Sequence, residues 1–175
     1  LLSRSKTVTT DSYNMKLLLI DDDVDSLESI RQGFVPLDYT VDTFQNPVQG
    51  VEAFKQTHYD LVITDIKMPE MNGIEVLQAV RAHDPLLYVI IMTGYADVDI
   101  AIDAVNSGAY AFFRKPLNFK ELMETVWRIE KEIKSVREKG QRISRLMQET
   151  GKFQEMTMPA GEAPHADSGS ANSWL

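Results

Sequence analysis

Five short apolar runs, each followed by an amphipathic stretch, constrain this chain more than any other feature. The runs are KLLLI (16–20), YTVDTF (39–44), DLVIT (60–64), YVIIM (88–92) and AFFR (111–114). The first, third and fourth are nearly continuous aliphatic residues, the pattern of parallel strands buried on both faces. The stretches between them carry helix start and stop signals. Asp25 with Glu28 predicts a capping arrangement. Asn46 before Pro47 supplies an N-cap and a first-turn proline. Asn72-Gly73 opens GIEVLQAVRAH, and Asp97 opens VDIAIDAVNSG, which ends on Gly108 as a C-terminal glycine. Asn118 with Glu121 caps a fifth helix. Strands alternating with helices predict an α/β fold: one doubly wound, five-stranded parallel sheet with helices on both faces.

From Phe119 onward the period changes. Apolar side chains fall at Phe119, Leu122, Val126, Ile129, Ile133, Val136, Ile143 and Met147, with Gly140 in the one missing place. Alternating steps of three and four make a heptad repeat. A continuous helix over 119–147 is about 43 Å long, against a radius of gyration of about 13 Å for a domain of this size. The expectation is an extended C-terminal helix whose later apolar seam pairs in a coiled-coil homodimer. The plainer alternative is a helix that packs its first turns on the sheet and folds back or frays at Gly140.

Composition narrows the function classes. The chain has 175 residues, no cysteine and a net charge of −8. Disulfides, thiolate metal sites and cysteine nucleophiles are thereby excluded. The acidic stretch 15–118 argues against direct nucleic-acid binding, and the slight basic excess over 119–149 reads as a solvated helix face. No apolar run reaches the roughly 18 residues of a membrane span, and the first residues lack a signal-peptide core. The expectation is a soluble, cytoplasmic protein. Four segments are expected: a disordered or non-native stretch 1–14, a domain over 15–132, a coiled-coil extension over 133–150, and a disordered or vector-derived tail over 151–175.

In an open parallel sheet, ligands bind beyond the carboxyl ends of the strands, where strand order reverses. Here the first strand ends in Asp21, Asp22 and Asp23, the third in Asp65, the fourth in Thr93-Gly94 and the fifth in Lys115-Pro116. If the order is 2-1-3-4-5, carboxylates, a hydroxyl and an ammonium converge on one edge. Clustered carboxylates either raise their pKa values or recruit a cation, and a hard ion such as Mg²⁺ prefers oxygen ligands. An ammonium and a hydroxyl opposite suit a phosphoryl group, which a carboxylate can accept as an acyl phosphate. Asp23 and Asp25 read as helix-capping residues only.

LLLIDDD, LVITDIKMPEMNG, VIIMTGYAD and FFRKPLN, in this order and at these spacings, resemble the receiver domain of bacterial two-component response regulators, of the nitrogen-regulator type. The likeness spans roughly residues 15–132 and implies a flavodoxin-like fold. It further implies that Asp65 accepts a phosphoryl group from a sensor histidine kinase, in a self-catalysed transfer rather than as an enzyme acting on separate substrates. Asp21 and Asp22 form the acidic pair; Asp22 and Asp65, with the backbone carbonyl of Lys67, hold Mg²⁺. Thr93 and Lys115 contact the phosphoryl oxygens. Phe112 takes the aromatic switch position, where plain core packing is the competing reading. Lys67 and Tyr95 flank the site, and Pro116 is expected to follow a cis bond.

Two other functions compete. A haloacid-dehalogenase-like phosphatase uses Asp-x-Asp, Thr and Lys in a similar order. It needs a further acidic pair at a strand end after the lysine, and it leaves Asp65 without a role. A docking module that is never phosphorylated lacks nothing but has no use for the complete set of side chains. The receiver reading carries a two-state switch: phosphorylation biases the region after the fourth strand and, through the last helix, the pairing of two chains.

Overall fold

The computed structural model describes residues 13–94, 102, 104 and 106–157. Five strands form one parallel sheet: β1 (Lys16–Ile20), β2 (Thr40–Phe44), β3 (Leu61–Asp65), β4 (Tyr88–Thr93) and β5 (Ala111–Arg114), in the order β2-β1-β3-β4-β5. Each strand lies within a residue of the run that predicted it. The three central strands are almost wholly buried, while β2 and β5 at the edges are half-exposed. Aliphatic runs mark the centre for that reason: both faces of a central strand are covered.

Alternation along each strand sends side chains to two cores. Leu18, Val62, Val89 and Ile91 face α2 (Pro47–Gln56) and α3 (Gly73–His83), joining Val51, Phe54, Val76, Leu77 and Val80. Leu17, Leu19, Ile63 and Ile90 face α1 (Val24–Phe34) and the first turns of the C-terminal helix α4 (Phe119–Thr157), joining Leu27, Ile30, Phe34, Leu122, Val126 and Ile129. Helices on both faces are the doubly wound, flavodoxin-like arrangement.

Helix starts follow local chemistry. Asn46 accepts from the Gln49 N–H at 3.0 Å, with Pro47 in the first turn. Asn72 and Glu75 form a complete capping box. Asn118 and Glu121 pair at 2.8 Å. Of the two capping candidates before α1, Asp23 is the N-cap, accepting from the Asp25 N–H at 3.0 Å, and the Asp25–Glu28 capping arrangement is not formed. Glu28 instead grips Arg31 at 2.8 and 2.9 Å. The helix begins one residue after the strand-end loop closes, so the earlier aspartate is the one with extended backbone.

Most of the fourth expected helix lies outside the described residues. Its end is described: Ile102, Ala104 and Asn106 are helical, Gly108 has φ 88°, and the Ala109 N–H donates to the Ala104 carbonyl at 3.0 Å. That bond closes a helix on a left-handed glycine.

The chain divides into two compact units, residues 1–134 and 135–175. Within the first unit, Leu122, Val126 and Ile129 of the heptad set are fully buried. Within the second, Val136, Ile143 and Met147 are exposed. Half of the expected seam is therefore core of the sheet domain. Helix α4 continues through Gly151 to Thr157, past the expected end at 150; a single helical glycine costs about 1 kcal/mol, and its flanking residues favour helix.

Candidate functional site

The strand order places the ends of β1, β3, β4 and β5 side by side, and backbone pairing carries this order into the loops. The Asp21 N–H donates to the Phe44 carbonyl at 3.1 Å, Ile66 to Met92 at 2.9 Å and Lys115 to Thr93 at 2.7 Å. The last of these fixes Lys115 beside the end of β4. Its ammonium reaches across β4 to two carboxylates, lying 2.6 Å from Asp21 Oδ2 and 2.7 Å from Asp65 Oδ1.

Asp21 and Asp65 are buried, Asp22 is exposed, and the three offer oxygens that all lie within 4.8 Å of one another. Thr93 is buried at the C-terminal end of β4. Asp65 Oδ2 also accepts the Lys67 N–H at 2.7 Å, so both of its oxygens are held. The loop that follows is pressed against Asp65: a Cβ on Gly73 would sit 2.2 Å from the Asp65 carbonyl oxygen, and only glycine fits. The Lys115–Pro116 bond is cis, as the resemblance implied.

Electrostatics follow from this packing. Burial pushes the Asp65 carboxyl above the usual aspartate value; the Lys115 ammonium and the Lys67 N–H oppose that, while Asp21 adds to it. Burial acts to lower the Lys115 pKa, and the two carboxylates outweigh it and hold the ammonium charged. The described cluster is thus an all-oxygen set with more negative charge than its one lysine relieves. Such a set fits a hard divalent cation.

Six of the sequence-predicted positions therefore meet at one edge: Asp21, Asp22, Asp65, Lys67, Thr93 and Lys115. Phe112 does not join them directly. It lies in β5 opposite Ile91 and packs, partly buried, against the core under α2 and α3. Tyr95 lies outside the described residues. One residue was missed: Ser26, whose hydroxyl donates to Asp21 Oδ2 at 2.7 Å. Ser26 stands in the first turn of α1, where side chains lean back toward the N-terminus, but the sequence does not fix the angle at which that helix leaves the loop.

Known proteins resemble this chain. Residues 17–127 match the family model of the response regulator receiver domain. The transcriptional regulatory protein ZraR of Klebsiella oxytoca is 37% identical over 113 residues, which cover 63% of this chain and 25% of that protein. The C4-dicarboxylate transport transcriptional regulatory protein DctD of Rhizobium meliloti is 32% identical over 122 residues, 70% of this chain and 26% of that protein. The chain thus spans about a quarter of the length of these curated relatives. Among solved structures, a response regulator receiver domain protein from Clostridium thermocellum has a TM-score of 0.66 at 31% identity, covering 70% of this chain and 98% of that one.

The fold and the strand-end cluster define a phosphorylation-dependent signalling domain. The chain belongs to the response regulator receiver domain family, and its relatives are of the nitrogen-regulator-like type. Neither the phosphatase nor the inert docking module finds support. Among the described residues, no helix is long and apolar enough to cross a membrane.

Proposed function

We propose that Asp65 is the phosphoacceptor and that the cluster around it serves its phosphorylation by a sensor histidine kinase. The observation that carries this reading is the Lys115 ammonium held between Asp21 and Asp65 beyond the strand ends. An Asp65 carboxylate oxygen attacks phosphorus, the bond from phosphorus to the donor breaks, and an acyl phosphate forms. Lys115 moves with the charge, from a carboxylate pair toward the new phosphoryl oxygens. Thr93, at the end of β4, donates its hydroxyl to another of them.

Asp22, Asp65 and the backbone carbonyl of Lys67 would hold Mg²⁺, with Asp21 completing the acidic pair. When bound, Mg²⁺ neutralises charge on the phosphoryl oxygens. Phe112 is assigned the switch role, following Thr93 as it turns toward the phosphoryl. We assign the phosphoacceptor domain to 15–132, and the helical extension over 133–150 brings two copies together. An output domain or a separate partner then reads the change. A cytoplasmic location and no nucleic-acid contact by this segment go with that reading.

Incubation with acetyl phosphate and Mg²⁺ tests the assignment. The intact protein should gain the mass of one phosphoryl group, and Asp65→Ala should gain none. Turnover of phosphate monoesters without a stable adduct would overturn it.

A further inference from the structure

We infer that Ser26 is a positioning residue for the acidic pair, which sets how tightly this site holds a divalent cation. The inference rests on the reading of the cluster as an Mg²⁺-dependent phosphoacceptor site and adds a residue to it. Asp21 is 1% exposed and receives three donors: the Asp23 N–H at 3.1 Å on Oδ1, and Ser26 Oγ at 2.7 Å and Lys115 Nζ at 2.6 Å on Oδ2. A carboxylate offers roughly four lone-pair sites, so Asp21 is nearly saturated. Its plane is fixed from both ends.

That fixation has a consequence for the neighbours. The oxygen that Ser26 holds is the same one that draws Lys115 toward Asp21. With Asp21 locked, the ammonium bridges Asp21 and Asp65 and offsets charge from one side. Asp22, which is exposed, and Asp65 then offer oxygens that, with one of Asp21, lie within 4.8 Å of one another. Without the hydroxyl, Oδ2 keeps only the lysine. The Asp21 carboxylate gains freedom to turn, carrying Lys115 with it, and the preorganised set loosens. The hydroxyl reaches Asp21 because Ser26 is the third residue of α1 and helical side chains tilt toward the N-terminus. Hydrogen-bond partners of this outer kind typically change metal affinity by on the order of 10-fold.

Calorimetric titration of the full chain with MgCl₂ tests this. Ser26→Ala should weaken Mg²⁺ binding on the order of 10-fold, and Ser26→Thr, which keeps the hydroxyl, should restore it. Phosphorylation by acetyl phosphate should then need proportionally more Mg²⁺ for half-maximal rate. A merely structural role for Ser26 would leave the Mg²⁺ affinity and the half-saturation point in place. Unchanged or tighter Mg²⁺ binding in Ser26→Ala, with wild type binding normally, overturns the inference alone. Absence of Mg²⁺ binding by wild type overturns the phosphoacceptor reading together with it.

Discussion

At the scale of single residues, the site is a balance between burial and charge. Asp65 is 6% exposed, and burial holds its pKa above the ordinary aspartate value despite Lys115. A group whose pKa is raised by folding supports the fold when protonated and loses that support as pH rises through the folded value. At neutral pH, without a divalent ion, ionised Asp65 therefore destabilises the domain. Asp65→Asn keeps the shape and an acceptor for Lys115 but removes the charge. We expect a higher melting temperature for this variant at pH 7 in EDTA, with the gain shrinking as pH falls through the carboxylate range. Thermal melts at several pH values check this, and a lower melting temperature at pH 7 would contradict the charge balance described. Added Mg²⁺ should narrow the difference by stabilising wild type selectively.

At the scale of elements, aliphatic runs and capping residues made most of the fold legible. β1, β3 and β4 sit where the runs placed them because a strand covered on both faces has no room for polar side chains. Asn46, Asn72 and Asn118 marked helix starts because capping is a local reaction between one side chain and the next turn. Asp23 and Asp25 both offered a cap for α1, and the path of the chain out of β1 chooses Asp23. The heptad spacing after Phe119 could not say where core ends and exposed helix begins, since both use the same period. Of the site, the strand-end residues were legible from order and spacing. Ser26 was not, because its role depends on the angle at which α1 leaves the loop.

Packing between elements also reverses a propensity rule. Gly33 lies inside α1, where alanine is ordinarily favoured by about 1 kcal/mol. A Cβ there would meet the Phe119 ring at 2.0 Å, and that ring also packs edge-on against Phe34 at 5.7 Å. Overpacking of this kind costs about 1–3 kcal/mol, so the clash outweighs the propensity. Gly33→Ala should destabilise wild type, yet stabilise a Phe119→Ala background, where the notch is vacant. Urea denaturation of the four proteins gives the cycle; the same sign in both backgrounds would show that Phe119 does not fill the notch.

At the scale of the whole molecule, the two units make different demands. The first, residues 1–134, contains the sheet, both cores and the candidate site. Tyr88 and Tyr110 donate to Glu132 at 2.9 and 3.0 Å, and Tyr39 to Glu130 at 2.8 Å, so the strand starts grip α4 within that unit. A chain ending at Lys134 should therefore fold and accept phosphate from acetyl phosphate at a rate close to that of the full chain. The second unit exposes Val136, Ile143, Leu146 and Met147 on its helix, and most helical stability in proteins comes from packing of an apolar face against a partner. Light scattering with beryllofluoride and Mg²⁺ should give a dimer for the full chain and a smaller mass, relative to its length, for the shortened one. Equal monomer masses for both would remove the proposed role of the helix.

On the proposed function, one carboxylate among several at this edge, that of Asp65, takes the phosphoryl group. Borohydride reduction of the phosphorylated protein, followed by peptide sequencing in the mass spectrometer, converts the labelled aspartate to homoserine and reads its position. Homoserine is expected at residue 65 alone; homoserine at position 21 or 22 instead would rule out Asp65 as the phosphoacceptor.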